Sequence, residues 1–516
     1  MRLFGTNPSN LWAFVAPAVV ALAFPTHWVW AAGMEYPDNG TIAIGRGGAH
    51  AANPEDGLAF QYNPAGFAQA AQRGFRLHLD TRWAAQGLRF QSATPDAAAV
   101  ENSAPPFLAP AGAISYGLGK VGPLSDLAFA VGATGPSAVG KTSFPVDGAQ
   151  RYALTSTAYF IAYYSAAVAA GWQRGDVGVR VGFTGQLVQG TAKFSQAVWS
   201  GIDTYDNAKK GNKPSDTKND STASFSGTSD LIPAFVAGVS VTPRKGLDIG
   251  ISYRPRIDFD APGHLVVGLS PVAAKIKAAP DGDSANLKLS LAGMLRAGVA
   301  YQIAPRLRVE LDGVLEQWSA LQQIRIATHN INITSGIADP TPLPDIVFEK
   351  HFKDAWSARL GGDFGVLPGQ FTLRAGYVFE TSAIDRNYAS MDFPNWQRHV
   401  ASLGASVRLF GAWLDVAYAH HFVETQHVTD SQVVSQVSPQ LGKMAPAVSS
   451  VVGNGDYESR LDVLSLALRI PFGELTAQPF APPPLPDVPL LDVPLPEAPT
   501  ASDPVGSPAP AAADKP

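Results

Sequence analysis

Arginine is the residue type in this chain best suited to holding an anion. Arg296, Arg359 and Arg374 lie in strand-like runs, on the polar side of an alternating pattern. A guanidinium can grip a carboxylate with two parallel hydrogen bonds. Arg308, Arg408 and Arg469 occupy the same kind of position, and so do Glu310, Asp312, Asp363, Glu380, Asp415 and Asp462. With the two signs balanced, two readings stay open: ion pairs that lace an interior, or one arginine held back for an anionic ligand.

Other chemistries find less support. His420, His421 and His427 suggest a metal site, but neighbours on a strand point to opposite faces, so the adjacent pair cannot share one ion. No metal and no cofactor is expected. The chain has no cysteine, which excludes thiolate sites, disulfides and lipid attachment through that residue. Neither Gly-x-Ser-x-Gly nor His-Glu-x-x-His occurs, so hydrolysis would need a serine and histidine brought together by the fold alone.

The elements that must position these side chains read as strands. Leu464, Leu466, Leu468, Ile470 and Phe472 alternate with Ser465, Ala467, Arg469 and Pro471. Phe371, Leu373, Ala375, Tyr377 and Phe379 oppose Thr372, Arg374 and Glu380. Leu307, Val309 and Leu311 oppose Arg308, Glu310 and Asp312. A single run from Leu287 through Leu289, Leu291, Leu295, Val299, Tyr301 and Ile303 opposes Lys288, Ser290, Arg296 and Gln302. Fourteen such segments are predicted, near 73–90, 109–120, 124–134, 153–171, 175–194, 231–242, 246–264, 285–303, 306–326, 351–365, 370–384, 396–410, 412–427 and 457–472.

Their connections alternate in length. Short turns fall at Lys120–Ser125, Trp172–Gly175, Pro243–Gly246, Ala304–Arg306, Val366–Gln370 and Phe410–Ala412. Long, polar loops fall at 91–108, 135–152, 195–230, 265–284, 327–350, 385–395 and 428–456, and Asp203 to Asp230 should stand in water. An even number of amphipathic strands with this alternation predicts an all-β, fourteen-stranded antiparallel transmembrane barrel with both ends in the periplasm. A soluble all-β protein with variable loops is the alternative, but a sandwich does not sort its loops by length.

Composition agrees. Only 16% of residues are charged, 49 are glycine, and the net charge of −5 gives no electrostatic basis for a nucleic-acid partner. Residues 1–31 read as a signal peptide, with Arg2, an apolar stretch from Leu11 to Phe24, and Val29-Trp30-Ala31 before the cleavage point. The end of the chain, 473–516, is proline-rich and carries a near-repeat, Pro486-Asp487-Val488-Pro489-Leu490 then Leu491-Asp492-Val493-Pro494-Leu495. It reads as an extended, disordered periplasmic tail, either a spacer or a tether to a periplasmic or cell-wall partner.

Between leader and first strand lie Gly45-Arg46-Gly47-Gly48-Ala49 and Leu58-Ala59-Phe60-Gln61-Tyr62-Asn63-Pro64-Ala65-Gly66-Phe67. The glycines argue against a stable helix there, and Asn-Pro argues for a turn. Residues 32–72 so read form a segment with little regular structure, able to rearrange at low cost. Phe60, Tyr62 and Phe67 could line an apolar pocket beside Asn63-Pro64-Ala65; static packing is the plainer reading.

The Asn-Pro-Ala step resembles the N-terminal hatch of the FadL/TodX family of outer-membrane channels for long-chain fatty acids and other hydrophobic compounds. Glu316-Gln317-Trp318-Ser319, His351-Phe352-Lys353-Asp354-Ala355-Trp356, Leu373-Arg374-Ala375-Gly376-Tyr377, Leu414-Asp415-Val416-Ala417-Tyr418-Ala419-His420 and Tyr457-Glu458-Ser459 extend the resemblance over 40–472. It implies a barrel at 73–472 in the outer membrane of a Gram-negative cell, plugged by a hatch at 32–72. It further implies passive uptake of fatty acid: capture at outer loops, a site within the barrel, and release when the hatch shifts. Membrane lipid and the barrel assembly machinery would be its partners, the chain being a monomer. A sideways exit at a kink in the third strand would fall at Gly132, Gly135 and Pro136; the end of that strand before a loop explains these residues equally well. Phe472 takes the place of the terminal aromatic that assembly machinery reads, although the chain continues to Pro516. An aromatic hydrocarbon channel, a wall-linked structural barrel working through its tail, and a lipid hydrolase are the other readings.

Overall fold

In the computed structural model the described residues are 39–472, apart from 53, 55, 71–73, 136–140, 200–219, 395 and 440–448. The leader at 1–31, the start of the predicted hatch, Pro136 and the tail at 473–516 therefore lie outside the described residues. Among the described residues no helix is long and apolar enough to cross a membrane.

The wall is a closed antiparallel barrel of fourteen strands. They are β1 (Gly74–Ser92), β2 (Phe107–Gly117), β3 (Asp126–Thr134), β4 (Ser156–Arg174), β5 (Val177–Trp199), β6 (Ile232–Arg244) and β7, which runs Leu247–Arg254 and resumes at Ile257–Gly268. β8 runs Ser284–Leu291 then Gly293–Ala304, and β9 Leu307–Gln317 then Gln323–Thr328. β10 (Ala355–Leu367), β11 (Phe371–Glu380), β12 (Arg398–Leu409), β13 (Ala412–Val423) and β14 (Gly455–Phe472) complete it. β14 closes on β1 from Phe75↔Phe472 to Ser92↔Gly455. All fourteen predicted segments become wall strands, with ends displaced by a few residues.

The short turns reflect local backbone chemistry. Phe410 and Gly411 both have positive φ, 51° and 88°. A two-residue turn of that hand matches the twist of the strands it joins.

The wall changes character along its height. In its lower part the outward residues are apolar and exposed: Leu295, Val299, Leu311, Leu360, Leu373, Leu414 and Leu464. Arg296, Asp312, Arg359, Arg374 and Asp415 point inward and are buried. Above the breaks in β7, β8 and β9 the pattern inverts. Ile257, Phe259, Ala261, Leu287, Leu291, Ile324 and Ile326 now point inward into one apolar core, while Asp258, Asp260, Lys288 and Arg325 face out. The predicted single run from Leu287 to Ile303 is thus two runs on opposite faces, because Ala292 interrupts the strand and resets its phase. A lower band with apolar residues outside suits lipid, and an upper band with apolar residues inside suits water. Each large inward side chain of the upper band contributes roughly 1.5–3 kcal/mol by burial.

Several loops and one acid differ from expectation: Val100, Phe144, Ile331, Ile346 and Val428, in stretches expected to be polar, are buried in the apolar core. Within the supposedly water-exposed stretch, Asp220–Thr228 is a strand between β5 and the upper part of β7; it buries Ala223 and Phe225 in the apolar core. The loop around 385–395 is not a polar surface loop: Ile384, Ala389, Met391 and Phe393 are buried in that core. Asp462 does not face inward. It stands half-exposed on the outside, accepting from Tyr418 Oη at 2.6 Å and lying 2.7 Å from His420 Nδ1, because Gly455–Phe472 is one continuous strand whose inward parity falls on Leu461 and Val463.

Candidate functional site

The chain before β1 sits inside the barrel. Two short helices shape it, α1 (Thr41–Gly45) and α2 (Pro64–Ala70), with a 3-10 turn at Ala59–Gln61. The segment is thus more regular than its glycines suggest. Those glycines end α1: Gly47 and Gly48 have φ of 64° and 74°, and Gly48 N–H donates back to Ala43 O at 2.7 Å. Asn63-Pro64 starts a helix in place of the predicted turn. Asn63 Oδ1 caps it by accepting from Ala65 N at 3.1 Å, and Pro64 fills the first helical position, where no amide is needed.

Wall side chains hold this plug by its backbone. Asp312 Oδ2 accepts from the amides of His50 and Ala51 at 2.7 and 2.8 Å, and Glu310 Oε1 from Ala52 at 2.8 Å. Asp80 Oδ2 accepts from Thr41 at 2.8 Å. Asn63 Nδ2 donates to Ala51 O at 2.8 Å and reaches Val239 O and Ser240 Oγ, each at 3.2 Å. Thr184 Oγ1 donates to Phe60 O at 3.0 Å. The wall leaves room for the plug: a Cβ at Gly250 would stand 2.7 Å from Ala52 Cα.

The predicted hatch residues separate into two environments. Phe60 and Phe67 pack with Leu58 against Ala113, Ala128, Ala130 and Ala169 of the wall. Tyr62 belongs to a polar layer. Its hydroxyl donates to Asn39 O at 2.7 Å, and its ring meets His50 edge-on at 5.1 Å and lies 5.4 Å from the Arg296 guanidinium.

The three predicted arginines are all buried in the lumen. Arg374 joins an ion-pair chain. It lies 2.7 Å from Asp363, which also pairs with Arg46 of the plug; Ser406 links Arg374 to Asp415, and Asp415 binds Arg469 at 2.6 and 2.7 Å. Arg359 donates to Ser357 Oγ at 3.0 Å and lies 3.9 Å from Glu380, which pairs with Arg398. Arg296 stands over Tyr62, with Met294 Sδ at 3.1 Å and the charges of Arg254, Arg359 and Glu316 close by. Arg254, Arg296, Arg359 and Arg398 thus share one region with Glu316 and Glu380. Asp312 is committed to the plug. Trp318, whose Nε1 donates to Glu316 at 2.8 Å, connects this layer to the apolar core above.

The third strand brings two predicted sets together. Phe60 packs so closely on Gly132 that a Cβ there would lie 2.7 Å from Cζ. Gly135 N–H donates to Pro110 O at 2.8 Å, and β3 ends at Thr134. Beside it a pocket of about 650 Å³ is lined by Val131, Tyr164 and Leu187, which face out, and Ala133, Ser165 and Gln186, which face in.

Several site residues escaped the sequence reading. Arg46, His50 and Asp56 of the plug and His78 and Asp80 of β1 form a buried polar chain. Asp56 lies 3.6 Å from His50 Nε2 and accepts from Leu58 N at 2.8 Å, while His78 Nδ1 accepts from Gly57 N at 3.1 Å. Burial would raise the Asp56 carboxyl, but His50, the charge of His78 and the Leu58 amide together hold it well below the usual carboxylate range. The available signal was the strand parity of His78 and Asp80, both even-numbered in β1. Among the described residues no cluster of histidine and acids could hold a metal ion.

A closed fourteen-stranded antiparallel wall with an apolar outer band defines a transmembrane β-barrel. The family model for outer membrane protein transport proteins (OMPP1/FadL/TodX) matches residues 22–455, and the chain belongs to that family. It is a protein of the Gram-negative outer membrane, in a family of channels for hydrophobic compounds. Among solved structures it is similar to a Pseudomonas aeruginosa FadL homologue, with a TM-score of 0.66 at 18% identity over 86% of this chain and 100% of that one. The P. putida toluene transporter TodX gives 0.57 at 14%, over 85% and 100%. The CymD monoaromatic hydrocarbon channel gives 0.54 at 15%, over 86% and 99%. No curated protein matches the chain.

Proposed function

We propose that the chain takes up long-chain fatty acids passively, as a monomer seated in outer-membrane lipid and inserted by the barrel assembly machinery. The observation that carries the substrate is the arginine layer. Arg254, Arg296, Arg359 and Arg398 gather with Glu316 and Glu380 in one buried layer, which Trp318 joins to the apolar core. An amphiphile with an acyl chain and a carboxylate matches both halves. Asn63-Pro64-Ala65 at the start of α2 is the element whose shift would open the way past the plug, with Phe60 and Phe67 moving with it. The close packing of Phe60 on Gly132 supports a sideways exit beside β3, with Gly135 at its edge.

A second reading, an aromatic hydrocarbon channel, is favoured by the likeness to the toluene transporter and the monoaromatic channel. Uptake of labelled palmitate and labelled toluene by a host lacking its own channel separates the two. Fatty-acid uptake lost on deleting Asn63-Pro64-Ala65 supports the first reading. Uptake of toluene alone by a correctly inserted chain rejects it.

A further inference from the structure

The loop that follows β11 crosses the barrel mouth. It leaves the wall at Glu380, and Phe393 stacks on Tyr159 of β4, ring centroids 5.5 Å apart. β4 stands half-way round the fourteen-strand wall from β11, so this is a contact across the lumen and not along the rim. Ile384, Ala389, Met391, Phe393 and Trp396 are buried in one core with Phe194, Phe225, Phe259, Leu287 and Ile324 of the surrounding wall. Trp396 also meets Tyr457 of β14 at 5.6 Å.

Polar contacts fasten the loop on both flanks. Buried Lys350, just outside β10, pairs with Asp392 at 2.6 Å, donates to Ser390 at 3.0 Å and lies 5.4 Å from the Phe393 ring. Lys353 N–H donates to Ala383 O, and Gln432 N–H to Asn387 O, both at 2.7 Å. Lys353 pairs with Asp385 at 2.7 Å. A soluble core would gain nothing from a buried charge pair that a hydrophobic pair could not supply. Such a pair suits a contact that must break and re-form in register.

We infer that loop 381–394 with Trp396 is a built-in occupant of the apolar chamber in the outer half of the barrel, holding the space that an apolar acyl or aryl group must take to pass. The chamber's lining is matched to hydrocarbon, and the side chains filling it are hydrocarbon attached to a loop. A hydrophobic solute that replaces Ile384, Met391 and Phe393 keeps the chamber dry, so opening costs only the exposure of those loop side chains and not that of the chamber wall as well. A hydrophilic solute cannot make that exchange. The loop therefore acts as an outer stopper that yields to apolar compounds, distinct from the plug below. This inference rests on the chain being a channel for such compounds.

The absence of cysteine makes a single reporter thiol unambiguous. Met391→Cys in the full-length, membrane-inserted chain is treated with a membrane-impermeant maleimide, with Ile337→Cys, exposed at 57%, as the labelling control. Cys at 391 should label slowly without ligand. Saturating palmitate or toluene should raise its rate by about tenfold, as expected when a ligand shifts a closed loop toward an open state; glucose should leave it unchanged. Lys350→Met should speed labelling without ligand, and Lys350→Met/Asp392→Leu should slow it again. Fast labelling of Met391→Cys in the absence of ligand, in a chain that keeps its heat-modifiable barrel mobility, would overturn the inference. So would a rate unmoved by either compound while the chain takes that compound up. If the intact chain takes up neither compound, the channel reading fails first, and this inference fails with it.

Discussion

The Asp312 carboxylate on β9 receives the backbone N–H of His50 from the plug at 2.7 Å, and the next amide, that of Ala51, reaches the same oxygen at 2.8 Å. The plug is thus held by wall carboxylates acting on its main chain, which few of its side chains can compensate. Asp312→Asn should weaken its seating by roughly 1–3 kcal/mol, the cost of leaving buried donors poorly paired. Hydrogen exchange at the amides of 41–52 should rise in step. Unchanged protection there would show that the plug is held elsewhere.

Steric fit offers a second handle. Gly250 admits the plug backbone, with Ala52 Cα only 2.7 Å from where a Cβ would stand. Gly250→Ala should overpack that contact by about 1–3 kcal/mol. Single-channel conductance of the inserted variant should rise, while the barrel itself stays folded on a gel. Conductance equal to the parent would place the seal away from this contact.

Asn63 combines a helix cap with bonds to Ala51 O, Val239 O and Ser240 Oγ. Asn63→Ala should cost about 1–2 kcal/mol for the cap alone, and more for the remaining partners. Palmitate uptake should change in this variant, whereas Asn63→Asp should retain the cap and lose the donations. Identical uptake by both variants and the parent would remove Asn63 from the gating role.

The arginine layer predicts discrimination by head group. Arg296→Met should weaken palmitate binding by roughly ten- to a hundredfold, the worth of one charge-assisted hydrogen bond at about 1.5–3 kcal/mol. Binding of toluene, which has no carboxylate, should be unaffected. Equal losses for the two compounds would mean that the substitution damages the lumen generally.

Acid should release the plug only at low pH. The Asp56 carboxyl is held below its ordinary range by His50, His78 and the Leu58 amide acting against burial. A carboxyl lowered on folding contributes stability that is complete above its unfolded value of about 3.9 and is lost as pH falls through the folded value. Conductance should therefore be flat with respect to this group from neutral pH down to about 4 and rise only below it. Asp56→Asn should raise conductance at neutral pH as well.

Alternation along β9 to β14 was legible in the sequence because lipid outside and ion pairs inside write opposite polarities on adjacent residues. Arg359 and Arg374 could be placed in the lumen for that reason. Leu287 could not be placed correctly, since parity carries no record of the phase change at Ala292. Ile384, Met391 and Phe393 were equally hidden. They belong to an irregular loop, where no periodicity distinguishes a segment folded into the mouth from one in water. The same holds for His50 and Asp56, whose partners on β1 and β9 are distant in sequence and carry no shared spacing.

The order of elements along the chain has a consequence for the cell that makes it. The plug lies upstream of β1, and the ring is closed by β14, the last strand among the described residues, paired with β1 from Phe75↔Phe472 to Ser92↔Gly455. A truncated product that lacks β14 cannot close, and a product that includes β14 already carries its plug. Chain order thus couples closure to obstruction: the strand that completes the ring cannot be made before the segment that fills it.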